Sequence, residues 1–246
     1  MKHFRIDINA DVGEGIGNEA ELMPLLSSCN IACGGHAGDY NTMTEVVRLA
    51  KQHDVKIGAH PSFPDRINFG RVVLKLKEQD LHESLSAQIN SFLDVLNEQD
   101  ASLHHIKPHG ALYNLAAKDD VTARVIVEVV KSLDLSVKLY APYKSVMATI
   151  AERNAIEVVY EAFADRNYNA DLSLVSRNND NAILHNETDV LKHVLRMVKA
   201  QNVLSVQDEI LPIKAATFCV HGDTLNALEI LKYLRQELPK QDVLVD

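Results

Sequence analysis

Short apolar runs rich in β-branched residues alternate with longer stretches whose apolar residues recur at spacings of three and four, from one end of the chain to the other. A short run of this kind suits a strand buried on both faces, and a longer stretch buries one stripe of a helix. Strand followed by helix, unit after unit, dictates a parallel sheet, because parallel neighbours need a crossover that a tight turn cannot make. The strand runs are Phe4 to Val12, Asn30 to Cys33, Val55 to Ala59, His105 to Pro108, Val137 to Ala141, Val158 to Phe163 and Ala215 to Val220. Helices are predicted near 18–27, 42–53, 78–98, 120–132, 143–153, 187–200 and 223–237. In 78–98, Leu81, Leu85, Ile89, Phe92, Leu93 and Leu96 share one face.

Seven βα units close readily into a barrel, whereas an open doubly wound sheet more often uses five or six. The expected architecture is therefore a (β/α)7 barrel, a distorted TIM-like fold, with the open doubly wound sheet as the alternative. No linker-like or low-complexity stretch interrupts the rhythm, so 1–246 reads as one domain. Two connections, Pro61 to Lys77 and Ala164 to Asn186, are too long for simple turns. Long loops after barrel strands usually cover the site.

Charge and composition narrow the function. Lys and Arg total 25 against 34 Asp and Glu, and the cations form no basic face, which excludes nucleic acid as a partner. No apolar run is long enough to cross a membrane and the N-terminus lacks a signal-peptide core, so a cytoplasmic protein is expected. Cys29, Cys33 and Cys219 fit no disulfide or structural-zinc framework and read as small buried apolar residues.

In a barrel the residues that end each strand converge on one face. Here those ends carry Asp7, Asn9, Asp11 and Glu14, then His36, His60, Lys107 with His109, Glu161 with Arg166, and His221 with Asp223. Alternation puts Asp7, Asn9 and Asp11 on one side of the first strand, an arrangement that suits a wet site better than an apolar core. Nucleotide-binding patterns are absent. Gly13-x-Gly15-x-Gly17 would need its third fingerprint glycine where Asn18 stands, and no Gly-Lys-Ser/Thr loop occurs. Any ATP is then held unusually or by another protein. No Gly-x-Ser-x-Gly elbow supports a serine hydrolase.

The same segments resemble the LamB/YcsF family of 5-oxoprolinase components. The matching stretches are IDINADVGEG from Ile6, NIACGGHAGD from Asn30, GAHPSFPD from Gly58 with Phe69-Gly70-Arg71, IKPHGALYN from Ile106, YEAFADR from Tyr160, Leu174 to Arg177, and CVHGD from Cys219. Ala10, where cysteine is expected, and Gly35, where an aromatic is common, depart from the family pattern in packing positions. The resemblance implies a barrel of the glycoside hydrolase/deacetylase type. It also implies a component that works with two partner subunits to convert 5-oxoproline to L-glutamate with ATP hydrolysis. On that basis Asp11 or His60 is expected as general base, with Lys107 and His109 stabilising charge on oxygen. Asn9, Glu14, His36, Arg71, Glu161, Arg166, Arg177 and His221 are expected to contact substrate, the arginines suiting a carboxylate or phosphate. Deacetylases of the same fold place Asp and His around a divalent metal, and the equivalent triad here is Asp11, His60 and His109. Two alternatives stand beside this reading: a metal-dependent deacetylase or amide hydrolase, and a subunit that only binds substrate.

Overall fold

A computed structural model describes residues 3–222 and 226–246. The strands β1 (Phe4–Val12), β2 (Ser28–Ala32), β3 (Lys56–His60), β4 (His105–Ile106), β5 (Lys138–Pro142), β6 (Val158–Phe163) and β9 (Thr217–Cys219) pair side by side, all in parallel. Asp7, Ile8 and Asn9 of β1 then pair with Thr217, Phe218 and Cys219 of β9, which closes the sheet into a seven-stranded barrel and rules out the open sheet. Around it run α2 (Tyr40–Gln52), α3 (Glu78–Glu98), α5 (Asp120–Ser132), α6 (Val146–Arg153), α7 (Glu187–Leu195) and α8 (Ala227–Glu237), with the short α1 (Glu19–Leu22) and α4 (Gly110–Ala116). Asp223, and with it the start of the helix expected over 223–237, lies outside the described residues. Among the described residues no helix is long and apolar enough to cross a membrane.

Helix α3 shows how the sequence makes these elements. Its buried positions are Leu81, Leu85, Gln88, Ile89, Phe92, Val95 and Leu96, one stripe at helical spacing, with Leu93 at its half-buried margin. The buried polar member, Gln88, accepts from Ser62 N at 3.0 Å and donates to Ser62 O at 2.9 Å, tying the helix to the start of the long loop after β3. Asp39, Asp119, Ser145 and Asn186 cap α2, α5, α6 and α7 by accepting backbone N–H groups of the first turn.

Three elements escape the sequence pattern: α4, the antiparallel hairpin β7 (Asn202–Leu204) and β8 (Ile210–Pro212), and β10 (Val243–Val245), which pairs with Phe4, Arg5 and Ile6 of β1. The end of the predicted helix 187–200 is a π-turn over Arg196–Ala200, and that of 18–27 is a 3-10 turn over Met23–Leu25.

The lumen is polar. Ile6, Ile8, Ala10 and Val12 of β1 join the apolar core, while Asp7, Asn9 and Asp11 point into the barrel. Asp7 Oδ1 accepts from Ser28 Oγ at 2.7 Å and Thr217 Oγ1 at 2.6 Å, and Asn9 Nδ2 donates to Thr217 Oγ1 at 2.7 Å and Glu161 Oε1 at 3.1 Å. The expected wet surroundings are thus found only at Asp11, and the two lower residues are buried and satisfied by protein groups. The crowding has a backbone requirement. A Cβ on Gly58 would lie 2.1 Å from His105 Nε2, and that ring is stacked on Tyr140 at 3.8 Å. Gly58→Ala should therefore lower the unfolding free energy by about 1–3 kcal/mol, read from guanidinium unfolding; an unchanged midpoint would contradict this packing.

Candidate active site

The strand ends and the two long loops enclose a cavity of about 340 Å³. Asp11, Glu14, His60, Lys107, His109 and His221 line it from the barrel, Arg71 from the loop after β3, and Arg166, Ser176 and Arg177 from the loop after β6. Three of the residues expected at the site lie elsewhere. Asn9 and His36 lie outside its lining, and Glu161 faces a neighbouring cavity on the far side of Tyr113 and Phe163.

At the floor is a buried ion cluster. Lys107 Nζ lies 2.9 Å from Asp11 Oδ1, 2.9 Å from Glu161 Oε1, 3.1 Å from Cys219 Sγ and 3.4 Å from Asn9 Oδ1. Its three protons are all directed at protein atoms. Burial opposes the ammonium, but the charges of Asp11 and Glu161 outweigh it and hold the group well above the usual lysine range. Burial likewise opposes ionisation of Asp11, yet His60 and Lys107 bring its carboxyl well below the ordinary carboxylate range. Asp11 Oδ1 also accepts from Asn30 Nδ2 at 2.8 Å, and Oδ2 faces His60 Nε2 at 3.4 Å.

Beside the ion cluster stand the imidazoles. His60 Nδ1 donates to Lys107 O at 2.7 Å and His109 Nε2 donates to Phe69 O at 3.0 Å. Burial, reinforced by the neighbouring His60 and His36, keeps His109 neutral, well below the usual histidine range. Gly70, at φ +61°, lets the loop lie against the rings of this group, since a Cβ there would meet His109 Cδ2 and His36 Cβ at 3.0 Å. Glu14, His36, His60 and His109 form a group whose chemistry could hold a divalent cation.

Asp165, which the sequence pattern does not single out, is fully buried. It accepts from His221 Nδ1 at 2.9 Å and from the His221 backbone N–H at 3.1 Å, which fixes that ring at the cavity wall. Tyr113, equally unmarked in sequence, donates to Glu161 Oε2 at 2.7 Å. Both lie inside motifs quoted above, but their partners come from distant strands, which no local signal reveals. Arg166 is turned to support: it donates to Ala182 O at 3.2 Å and Val175 O at 2.5 Å, holding the loop that carries Ser176 and Arg177. The three cysteines are buried and unbridged, and burial raises the Cys29 and Cys33 thiols to about 12.

Comparison with known proteins adds a consistent finding. The family model described as "LamB/YcsF family" matches residues 6–246. The chain is 43% identical over 241 residues to a protein of Histophilus somni (strain 129Pt) named as the A component of 5-oxoprolinase, covering 98% of each. It is 37% identical over 245 residues to a Pyrococcus horikoshii protein of the same name, covering 98% of this chain and 96% of that one. The crystal structure of a lactam utilization protein from Thermus thermophilus is similar with a TM-score of 0.91 and 35% identity, covering 98% of this chain and 99% of that one.

The ion cluster yields a direct expectation. Lys107→Met leaves two buried carboxylates without their cation and should lower the unfolding free energy by about 3–5 kcal/mol in denaturant titration; a loss under about 1 kcal/mol would mean that the cluster is solvated.

Proposed function

This chain belongs to the LamB/YcsF family, and we propose that it is the barrel subunit of an ATP-dependent 5-oxoprolinase, opening the lactam ring of 5-oxoproline to L-glutamate in the cytoplasm. The observation that carries this reading is a small cavity with an ionised carboxylate at its floor and arginines among its walls, in a chain aligned end to end with proteins of that name. A five-membered lactam carrying one carboxylate fits such a volume and charge pattern.

A lactam is a stable amide. Phosphorylation of its carbonyl oxygen by ATP leaves the carbon open to water, and two partner subunits would supply the nucleotide site, in keeping with a chain that has no phosphate-binding loop. In the barrel, Asp11 Oδ2 takes a proton from the attacking water, whose oxygen bonds to the ring carbon. The C–N bond of the adduct then breaks as the ring nitrogen takes up a proton, leaving an acyl phosphate on the opened chain, and a second water displaces phosphate from that carbon to complete the carboxylate. Lys107, its protons directed elsewhere, acts through its field, keeping Asp11 ionised and favouring negative charge on oxygen. His109 gives its Nε2 proton to Phe69 O, so it supports His60 at the floor and leaves that oxygen to the field of Lys107. Arg71 and Arg177 are assigned to the substrate carboxylate. Asn9, His36 and Glu161 support these groups from behind.

The test is Asp11→Asn in the reconstituted three-subunit enzyme. Glutamate formation should fall by about 10²–10⁴-fold while the isolated variant still binds 5-oxoproline in a calorimetric titration. Full turnover by the variant would remove Asp11 from the chemistry. Absence of 5-oxoproline binding by the unaltered chain, alone and with its partners, would remove the substrate assignment.

A further inference from the structure

Two ring nitrogens at the cavity floor face each other at hydrogen-bond distance. His60 Nδ1 lies 2.7 Å from the Lys107 carbonyl and His109 Nε2 lies 3.0 Å from the Phe69 carbonyl. Carbonyl oxygens only accept, so each of these nitrogens carries the ring's one proton. The remaining nitrogens, His60 Nε2 and His109 Nδ1, are 2.9 Å apart, and in the neutral rings both present lone pairs. One carboxylate faces both: Glu14 Oε1 lies 3.8 Å from His60 Nε2 and 3.3 Å from His109 Nδ1.

One added proton would satisfy the imidazole pair and leave the contacts of Glu14 with both rings without a donor. A metal ion reaches all of them. Donor atoms around a four-coordinate ion with bonds of about 2.0–2.1 Å sit roughly 3.4 Å apart, within the observed spread of 2.9–3.8 Å. We propose that His60 Nε2, His109 Nδ1 and the carboxylate of Glu14 hold a divalent first-row transition cation with one position left open, zinc being the best match to mixed nitrogen and oxygen donors.

His36 is not a ligand in this set, although it belongs to the same cluster. Its ring is stacked on His109, with centroids 3.7 Å apart and planes 3° from parallel. Lone pairs lie in the ring plane, so two parallel stacked rings cannot both direct them at one ion. His36 Nε2 instead donates to Glu14 Oε1 at 2.9 Å, and its other nitrogen, Nδ1, is buried with no hydrogen-bond partner among the described residues. That makes His36 a positioning residue which orients the Glu14 carboxylate from behind. A second group of donors, Asp11, Cys219 and His221, lies close by. It is the poorer site, because Lys107 Nζ already stands 3.1 Å from Cys219 Sγ and 2.9 Å from Asp11 Oδ1, where a second cation would meet its charge.

The three ligands line the cavity, so the bound ion would face whatever small molecule enters it, where it would polarise a carbonyl or acidify a water. The proposal stands apart from the lactam reading, because it is tested without substrate, nucleotide or partner subunits. Chelator-treated chain is titrated with zinc and with cobalt, with metal content measured after gel filtration and cobalt coordination read from its visible absorption. One retained ion per chain is expected, with the absorption of a low-coordinate cobalt site carrying nitrogen ligands. No stoichiometric binding of either metal would overturn the proposal and leave a shared proton between His60 and His109. His60→Ala and His109→Ala, checked for folding by circular dichroism, should lose the ion; retention in both would place it elsewhere. His36→Gln keeps a donor for Glu14 and should bind no more than about 10–100-fold more weakly with the cobalt spectrum unchanged, whereas an altered spectrum would make His36 a ligand and overturn the set.

Discussion

One ammonium group deep in the barrel, that of Lys107, organises the surroundings of the cavity floor. It lies 2.9 Å from a carboxylate on β1 and 2.9 Å from a carboxylate on β6, so its charge ties separate walls of the barrel. Withdrawing the ammonium would leave two carboxylates unpaired in a low-dielectric interior, which is the costly case for buried ions. The carboxylates are held in turn by neutral groups: Asn30 on Asp11, Asn9 and Tyr113 on Glu161. The lumen of this barrel is thus a polar stack whose members satisfy one another, and the apolar core lies between the strands and the helices.

That stack explains what was legible in the sequence. The period-two placement of Asp7, Asn9 and Asp11 marks one face of β1 as polar, and the strand-end histidines and lysine mark the rim where cavity residues collect. The lengths of the loops after β3 and β6 identify the covers, which bring Arg71, Ser176 and Arg177 to the cavity. Closure was legible only as a count of βα units. What proves it is the pairing of Asp7 to Asn9 with Thr217 to Cys219, two segments at opposite ends of the chain.

The missed features share a physical cause. Strands β7, β8 and β10, of three residues each, offer too little of a period to reveal them, and α4 spans fewer than two helical repeats beyond its opening glycine. Asp165 and Tyr113 acquire their meaning from partners beyond β9 and on β6. The tautomers of His60 and His109 are fixed by backbone carbonyls of Lys107 and Phe69, which only the folded loops bring near. Stacking of His36 on His109 likewise separates two residues that look equivalent in sequence.

Family membership and a floor of fixed charges under a small cavity lead to one central claim, that this chain is required for lactam opening. Glutamate release from 5-oxoproline and ATP by the proposed partner subunits, with and without this chain, tests that claim most directly. Release is predicted only when the chain is added. Equal release in its absence would contradict the claim.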